Sequence, residues 1–180
     1  MLLVDIDGTL TTTASGANFG QNPHDYRAIP EAAIALRQVK VAEPERFVVG
    51  ITNQGGVGAG HKSFNDCVIE QRWKLRLFPE LELILFCPDY GGKECWIVRR
   101  SLEPFPLHGH KSGLPWVGSF RKPEPGMLRL ALDMRTDITE ECLMVGDRPE
   151  DAEAARNAGV AFLSAEDWWK GGSHGHHKAA

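Results

Sequence analysis

The chain has 180 residues, 42% of them hydrophobic and 24% charged, with a formal net charge of −4 and four cysteines. No apolar run approaches the roughly 20 residues needed to cross a bilayer, Met1 leads straight into a strand-like run, and four thiols do not make a disulfide scaffold. The acidic balance gives no global attraction to nucleic acid or anionic membrane, so the expectation is a cytoplasmic protein with no membrane partner, one domain over 1–170 and a disordered His-rich tail over 171–180.

The first apolar run, 1–6, carries Asp5 and is followed by Asp7, Gly8 and Thr9. Side chains alternate along a strand, so two aspartates at i and i+2 can leave its carboxyl end on one side. Residues 11–29 are rich in Thr, Ser, Gly and Asn and read as a loop. Pro30 and Glu31 then open a helix that Pro44 ends. A second buried run, 46–52, ends in Thr52, followed by Asn53 and Gln54. Gly55 to Ser63 looks like a nucleotide-binding P-loop, but His61 separates the last glycine from Lys62, which displaces the lysine from its cradle position. A flexible rim loop fits better. Ser63 with Asp66 marks a helix start, and Phe64, Cys67 and Val68 share a face.

A third run at 81–86 leads into the long irregular segment 87–121, which holds Trp96, Trp116, His108 and His110. Arg121 and Lys122 precede Pro125-Gly126, after which Met127, Leu130, Ala131 and Met134 have helical spacing. A fourth run, 142–146, ends in Asp147. Pro149 to Ala158 reads as a helix stopped by Gly159, and 160–163 is the last run. Strands alternating with helices imply an α/β fold: a Rossmann-like parallel sheet of about five strands with helices on both faces. Ligands then bind beyond the carboxyl ends of the strands, where Asp5, Thr52 and Asp147 fall.

Asp5, Asp7, Asp147 and Asp151 around one pocket with Lys122 leave a large negative excess. A hard divalent cation with oxygen ligands resolves it, and Mg²⁺ suits one or two carboxylates plus substrate phosphate and waters. The ordered set of Asp5-Ile6-Asp7-Gly8-Thr9, Thr52-Asn53-Gln54, Arg121-Lys122-Pro123 and Gly146-Asp147-Arg148-Pro149-Glu150-Asp151 resembles the four motifs of the haloacid dehalogenase (HAD) superfamily of phosphatases.

That resemblance implies a hydrolase of phosphate monoesters that works through an aspartyl phosphate. Asp5 would be the nucleophile and Asp7 the general acid, then base. Thr52 and the amide of Asn53 would hold phosphate oxygens, and Lys122 would offset charge. Asp147 would bind Mg²⁺ directly with Asp5 and the Asp7 carbonyl, supported by Asp151. The intervals between motifs leave no room for a folded cap domain.

Within the superfamily the extended first motif, Thr9 to Gly16 with Phe19, Pro23, Asp25 and Arg27, resembles the polynucleotide 3′-phosphatase group, with no kinase half in this chain. That group implies a nucleic-acid 3′ end as substrate. Arg27, Lys62, Arg99, Arg100 and Arg121 are candidate backbone contacts, and Trp96 or Trp116 a candidate base stack. The alternative is a small-molecule phosphatase of the histidinol-phosphate or heptose-bisphosphate type, and a third class is a non-catalytic phosphate-binding domain. Cys87, Cys95, His108 and His110 are a competent tetrahedral set for structural Zn²⁺. The heptose group's zinc loop uses Cys-x-His, though, and Asp89 stands where its histidine would be.

Overall fold

The computed structural model describes residues 1–101, the backbone of 105–108, and residues 118–135 and 141–171. In chain order the elements are β1 (Leu2–Asp5), β2 (Thr11–Thr13), β3 (Tyr26–Ala28), α1 (Pro30–Ala42), β4 (Val48–Asn53), α2 (Phe64–Leu77), β5 (Leu83–Cys87), β6 (Glu94–Val98), β7 (Phe105–His108), α3 (Gly126–Asp133), β8 (Leu143–Gly146), α4 (Pro149–Ala158), β9 (Ala161–Ser164) and α5 (Ala165–Trp169). The five apolar runs of the sequence become β1, β4, β5, β8 and β9. They pair in parallel, in the order β5-β4-β1-β8-β9.

The sheet is buried on both sides, which is why its strands read as continuous apolar runs. Leu2 and Val4 of β1 point into one core layer, with Leu36 of α1, Val68 and Leu75 of α2 and Trp168 of α5. Met1 and Leu3 point into the other, with Met127 and Leu128 of α3 and Ala154 and Ala155 of α4. Complete burial of each such large side chain contributes about 1.5–3 kcal/mol.

Helix boundaries follow local chemistry. The Ser63 hydroxyl accepts the Asp66 N–H at 3.0 Å and starts α2. Pro149 opens α4, and Gly159 ends it at φ 74°. The Arg148 N–H donates to Asp151 Oδ2 at 3.1 Å, which ties the first turn of α4 to a carboxylate.

Two segments read as loops contain strands. Residues 11–29 carry the antiparallel pair β2–β3. The segment 87–121 carries β6 and β7, which add to the sheet edge in antiparallel fashion and extend it to seven strands among the described residues. A structureless loop of that length is rare in a compact domain, and the hairpin supplies its backbone with partners. Arg100, offered as a nucleic-acid contact, donates to the carbonyls of Leu75, Phe78 and Leu81 and secures the end of α2. Trp96 is half-buried against Phe64, with ring centroids 4.4 Å apart. Trp116 lies outside the described residues.

Candidate active site

The carboxyl ends of β1, β4 and β8 bring Asp5, Thr52 and Asp147 to one edge of the sheet, and the first turn of α4 adds Asp151. Lys122 reaches into this group from the segment before α3. Its Nζ donates to Asp5 Oδ1 at 2.5 Å, to Asp151 Oδ1 at 2.6 Å and to the Ile51 carbonyl at 3.2 Å. All three charged groups are nearly inaccessible. Burial alone would discharge the lysine, but the two carboxylates outweigh it and hold its pKa above the ordinary value. Asn53 sets the lysine in place. Its amide nitrogen donates to the Lys122 carbonyl at 2.9 Å and its amide oxygen accepts the Lys122 N–H at 3.0 Å. The side chain of Asn53 is thus a clamp on Lys122.

Asp5 keeps its second oxygen, Oδ2, buried and without a hydrogen-bond partner among the described residues. Burial pushes this carboxyl up to about 7, Lys122 opposing and Asp151 and Asp7 adding to the rise. One carboxylate oxygen from each of Asp5, Asp147 and Asp151 lies within 4.8 Å of the other two. An orphaned buried oxygen beside two more carboxylates, in an all-oxygen donor set, fits a hard divalent cation such as Mg²⁺. The turn after β1 is shaped around this trio. Gly8 has φ +99°, and a Cβ there would stand 2.4 Å from Asp147 Oδ2. The Thr9 hydroxyl donates to Asp147 Oδ1 at 3.2 Å.

Asp7 is not in the trio; its carboxylate turns toward α2. Oδ1 accepts Lys74 Nζ at 2.6 Å, while Oδ2 accepts the Thr52 hydroxyl at 3.0 Å and Gln54 Nε2 at 2.8 Å. Enclosure by protein works against the charged form, but Lys74, Lys62 and Thr52 prevail and hold its pKa below the ordinary carboxylate range. The Asp7 carboxylate, expected among the metal ligands, is thus engaged away from the trio. Thr52, expected to donate to phosphate, here donates its hydroxyl hydrogen bond to Asp7 Oδ2.

Sequence reasoning missed Lys74, Glu70 and Gln54. The signal was available: Cys67, Glu70, Gln71 and Lys74 recur at the spacing of the buried helical stripe, where apolar residues belong. Lys62 was read as a backbone contact. It turns inward instead, to Gln54 Oε1 and Glu70 Oε2, both at 2.6 Å.

Beside Lys122 a cavity of about 300 Å³ is lined by Tyr90, Gly92, Gly118 and Arg121 among others. The Arg121 guanidinium lies 4.6 Å above the Tyr90 ring, and its buried Nη1 has no hydrogen-bond partner.

The described residues do not carry the zinc site. His110 lies outside them, and only the backbone of His108 is described, paired with Glu94. The Cys87 thiol donates to the Asp89 carbonyl at 3.2 Å, and burial pushes it up to about 12. The Asp89 carboxylate accepts the N–H groups of Lys93 and Glu94, so hydrogen bonds close this turn.

Residues 119–165 match the HAD-hydrolase-like family model. The chain is 32% identical over 139 residues to a D-glycero-β-D-manno-heptose-1,7-bisphosphate 7-phosphatase of Rhodopseudomonas palustris, covering 74% of this chain and 67% of that one. It is 30% identical over 168 residues to the D-glycero-α-D-manno counterpart of Mycobacterium bovis, covering 89% and 73%. Among solved structures, a HAD-like phosphatase from Mesorhizobium loti superposes with a TM-score of 0.64 at 25% identity, over 89% of this chain and 68% of that one. A D,D-heptose 1,7-bisphosphate phosphatase from B. bronchiseptica, complexed with magnesium and phosphate, shares the fold with a TM-score of 0.60 at 24% identity, over 89% and 77%. The curated relatives are heptose-bisphosphate phosphatases, which corrects the resemblance to the polynucleotide 3′-phosphatase group in favour of the alternative. The chain belongs to the HAD-like phosphatases, hydrolases of phosphate monoesters, in the family of these heptose-bisphosphatase relatives.

Proposed function

We propose that this protein is a Mg²⁺-dependent phosphatase that removes one phosphate from a small sugar bisphosphate of the heptose type, through an aspartyl phosphate on Asp5. The observation that carries the mechanism is the state of Asp5: one oxygen is fixed by Lys122, and the other is buried, unpartnered and beside Asp147 and Asp151. The substrate class rests on the names of the curated relatives.

Asp5, Asp147 and Asp151 would hold the cation, which when bound neutralises the carboxylates and polarises the phosphate as a Lewis acid. An Asp5 oxygen attacks phosphorus as the bond from phosphorus to the sugar oxygen breaks. Asp7, protonated in the reacting complex, gives that departing oxygen its proton. Water then attacks the same phosphorus and passes a proton to Asp7, and the bond to Asp5 breaks, releasing phosphate. Lys122 stays on Asp5 Oδ1 and balances charge on the transferring group. Arg121, in the cavity wall with a buried N–H group lacking a partner, is suited to the second phosphate.

The test is phosphate release with Mg²⁺ from heptose 1,7-bisphosphate, histidinol phosphate and a 3′-phosphorylated oligonucleotide. The heptose bisphosphate should have the highest kcat/KM, EDTA should stop turnover, and Arg121→Met should raise KM more for the bisphosphate than for a monophosphate. A higher kcat/KM for the oligonucleotide would contradict the substrate class.

A further inference from the structure

Between β1 and α2 five side chains close a ring. Lys74 Nζ bonds Asp7 Oδ1 and Glu70 Oε1, each at 2.6 Å. Lys62 Nζ bonds Glu70 Oε2 and Gln54 Oε1, each at 2.6 Å. Gln54 Nε2 returns to Asp7 Oδ2 at 2.8 Å. Lys74 is wholly inaccessible and Glu70 nearly so, and the Tyr26 ring covers the ammonium at 4.0 Å.

A buried ion pair of this kind is seldom the most stable filling for a core, since apolar residues of similar volume often do as well or better. Its geometry does something apolar residues cannot. The two ends of the ring grip the two oxygens of one carboxylate, which fixes the rotation of Asp7 about its last bond. Asp7 lies across the nucleophile's strand end, where small displacements of a reacting group are costly to rate.

We propose that Lys74 is a positioning residue: by holding Asp7 Oδ1 within the ring of Glu70, Lys62 and Gln54, it sets the orientation in which Asp7 serves the leaving oxygen. This rests on the reading of Asp7 as the acid.

Leaving-group dependence tests it. In one preparation with Mg²⁺, kcat/KM is measured for glycerol phosphate, whose alkoxide needs a proton, and for p-nitrophenyl phosphate, whose phenolate leaves without one. The ratio of the two cancels the folded fraction, and kcat/KM reports only steps up to leaving-group departure. Asp7→Asn and Lys74→Met should each lower the glycerol phosphate value by about 10²-fold and leave the p-nitrophenyl phosphate value within about threefold. The double variant Asp7→Asn/Lys74→Met should be within about threefold of Asp7→Asn alone, because Lys74 acts through Asp7. Lys74→Met/Glu70→Gln, which removes one buried charge of each sign, should show the same selective loss.

Equal loss on both substrates in the Lys74 variants, with selective loss in Asp7→Asn, would overturn the proposal and leave Asp7 as the acid. Equal loss in Asp7→Asn itself would overturn the acid reading and this proposal with it. Independent, multiplying losses in the double variant would make Lys74 merely structural.

Discussion

At the scale of the residue, Lys122 is a buried cation held between two carboxylates of the candidate metal trio, Asp5 and Asp151. Lys122→Met removes that charge while keeping a similar volume. The two carboxylates are then buried and uncompensated, and breaking such a set costs about 3–5 kcal/mol. The variant should melt well below the parent in EDTA. Mg²⁺ should raise its Tm more than it raises the parent's, because the cation becomes the principal countercharge. Activity should fall by about 10²-fold or more, as charge at the transferring group goes unbalanced. Thermal unfolding with and without Mg²⁺ checks this, and equal metal-induced shifts in the two proteins would argue against a shared carboxylate site.

The catalytic-end residues were legible in the sequence because each sits on a short local motif at a strand or helix end. The orientation of Asp7 was not, because it depends on Lys74, which is 67 residues away in sequence and visible only as a charge on a stripe that should be apolar. Asn53 was legible as a site residue, yet its side chain holds the lysine's backbone, a contact 69 residues long in sequence.

At the scale of the element, the β2–β3 hairpin carries a loop organised by Asp25. Its carboxylate accepts the Ser15 hydroxyl at 2.6 Å, the Ser15 N–H at 2.8 Å and the Gln21 N–H at 2.9 Å. The Ser15 hydroxyl foremost, with the Gln21 N–H next, holds the carboxyl below its ordinary value of 3.8. A carboxyl depressed by folding contributes stability that is complete above its unfolded value and lost as pH falls through the lower folded value. The loop should therefore be intact at pH 5 and loosen as the solution is acidified below the ordinary carboxylate range. Amide exchange at Ser15 and Gln21, corrected for intrinsic rates, should lose protection there. Asp25→Asn should show the loosened loop already at pH 7. Unchanged protection in Asp25→Asn would mean that other contacts fix the loop.

The five parallel strands could be read from apolar runs because burial on both faces leaves an unbroken signal. The hairpins could not. β2 and β3 have three residues each, and Thr11 to Thr13 look like a polar loop. β6, Glu94-Cys95-Trp96-Ile97-Val98, follows Gly91-Gly92-Lys93 and starts on a charged residue, so neither a clean alternation nor a long continuous run stands out. The excessive length of the supposed loop was the usable warning.

At the scale of the whole molecule, the sheet gathers Asp5, the proposed nucleophile, Asp7, the proposed acid and base, Lys122 and the candidate metal trio at the carboxyl ends of its central strands. That arrangement suits phosphoryl transfer from any monoester, which explains why the motifs identified the phosphatase class but pointed to a different group within it than the relatives do. We expect discrimination to fall to the segments that line the cavity beside Lys122, 90–92 and 118–124, which the Tyr90–Arg121 stack joins. These segments carry few periodic or motif constraints, and their pairing across the cavity exists only in the folded chain.

The central claim is that phosphate passes through Asp5, and trapping the covalent enzyme tests it most directly. The protein is mixed with Mg²⁺ and heptose 1,7-bisphosphate, quenched during turnover and reduced with borohydride, which converts an acyl phosphate at an aspartate to homoserine. Peptide mass spectrometry should find that conversion at position 5, dependent on Mg²⁺ and substrate and absent from Asp5→Asn, which should be folded and inactive. Turnover by the parent with no modification at position 5, or with the modification at another carboxylate, would contradict the account.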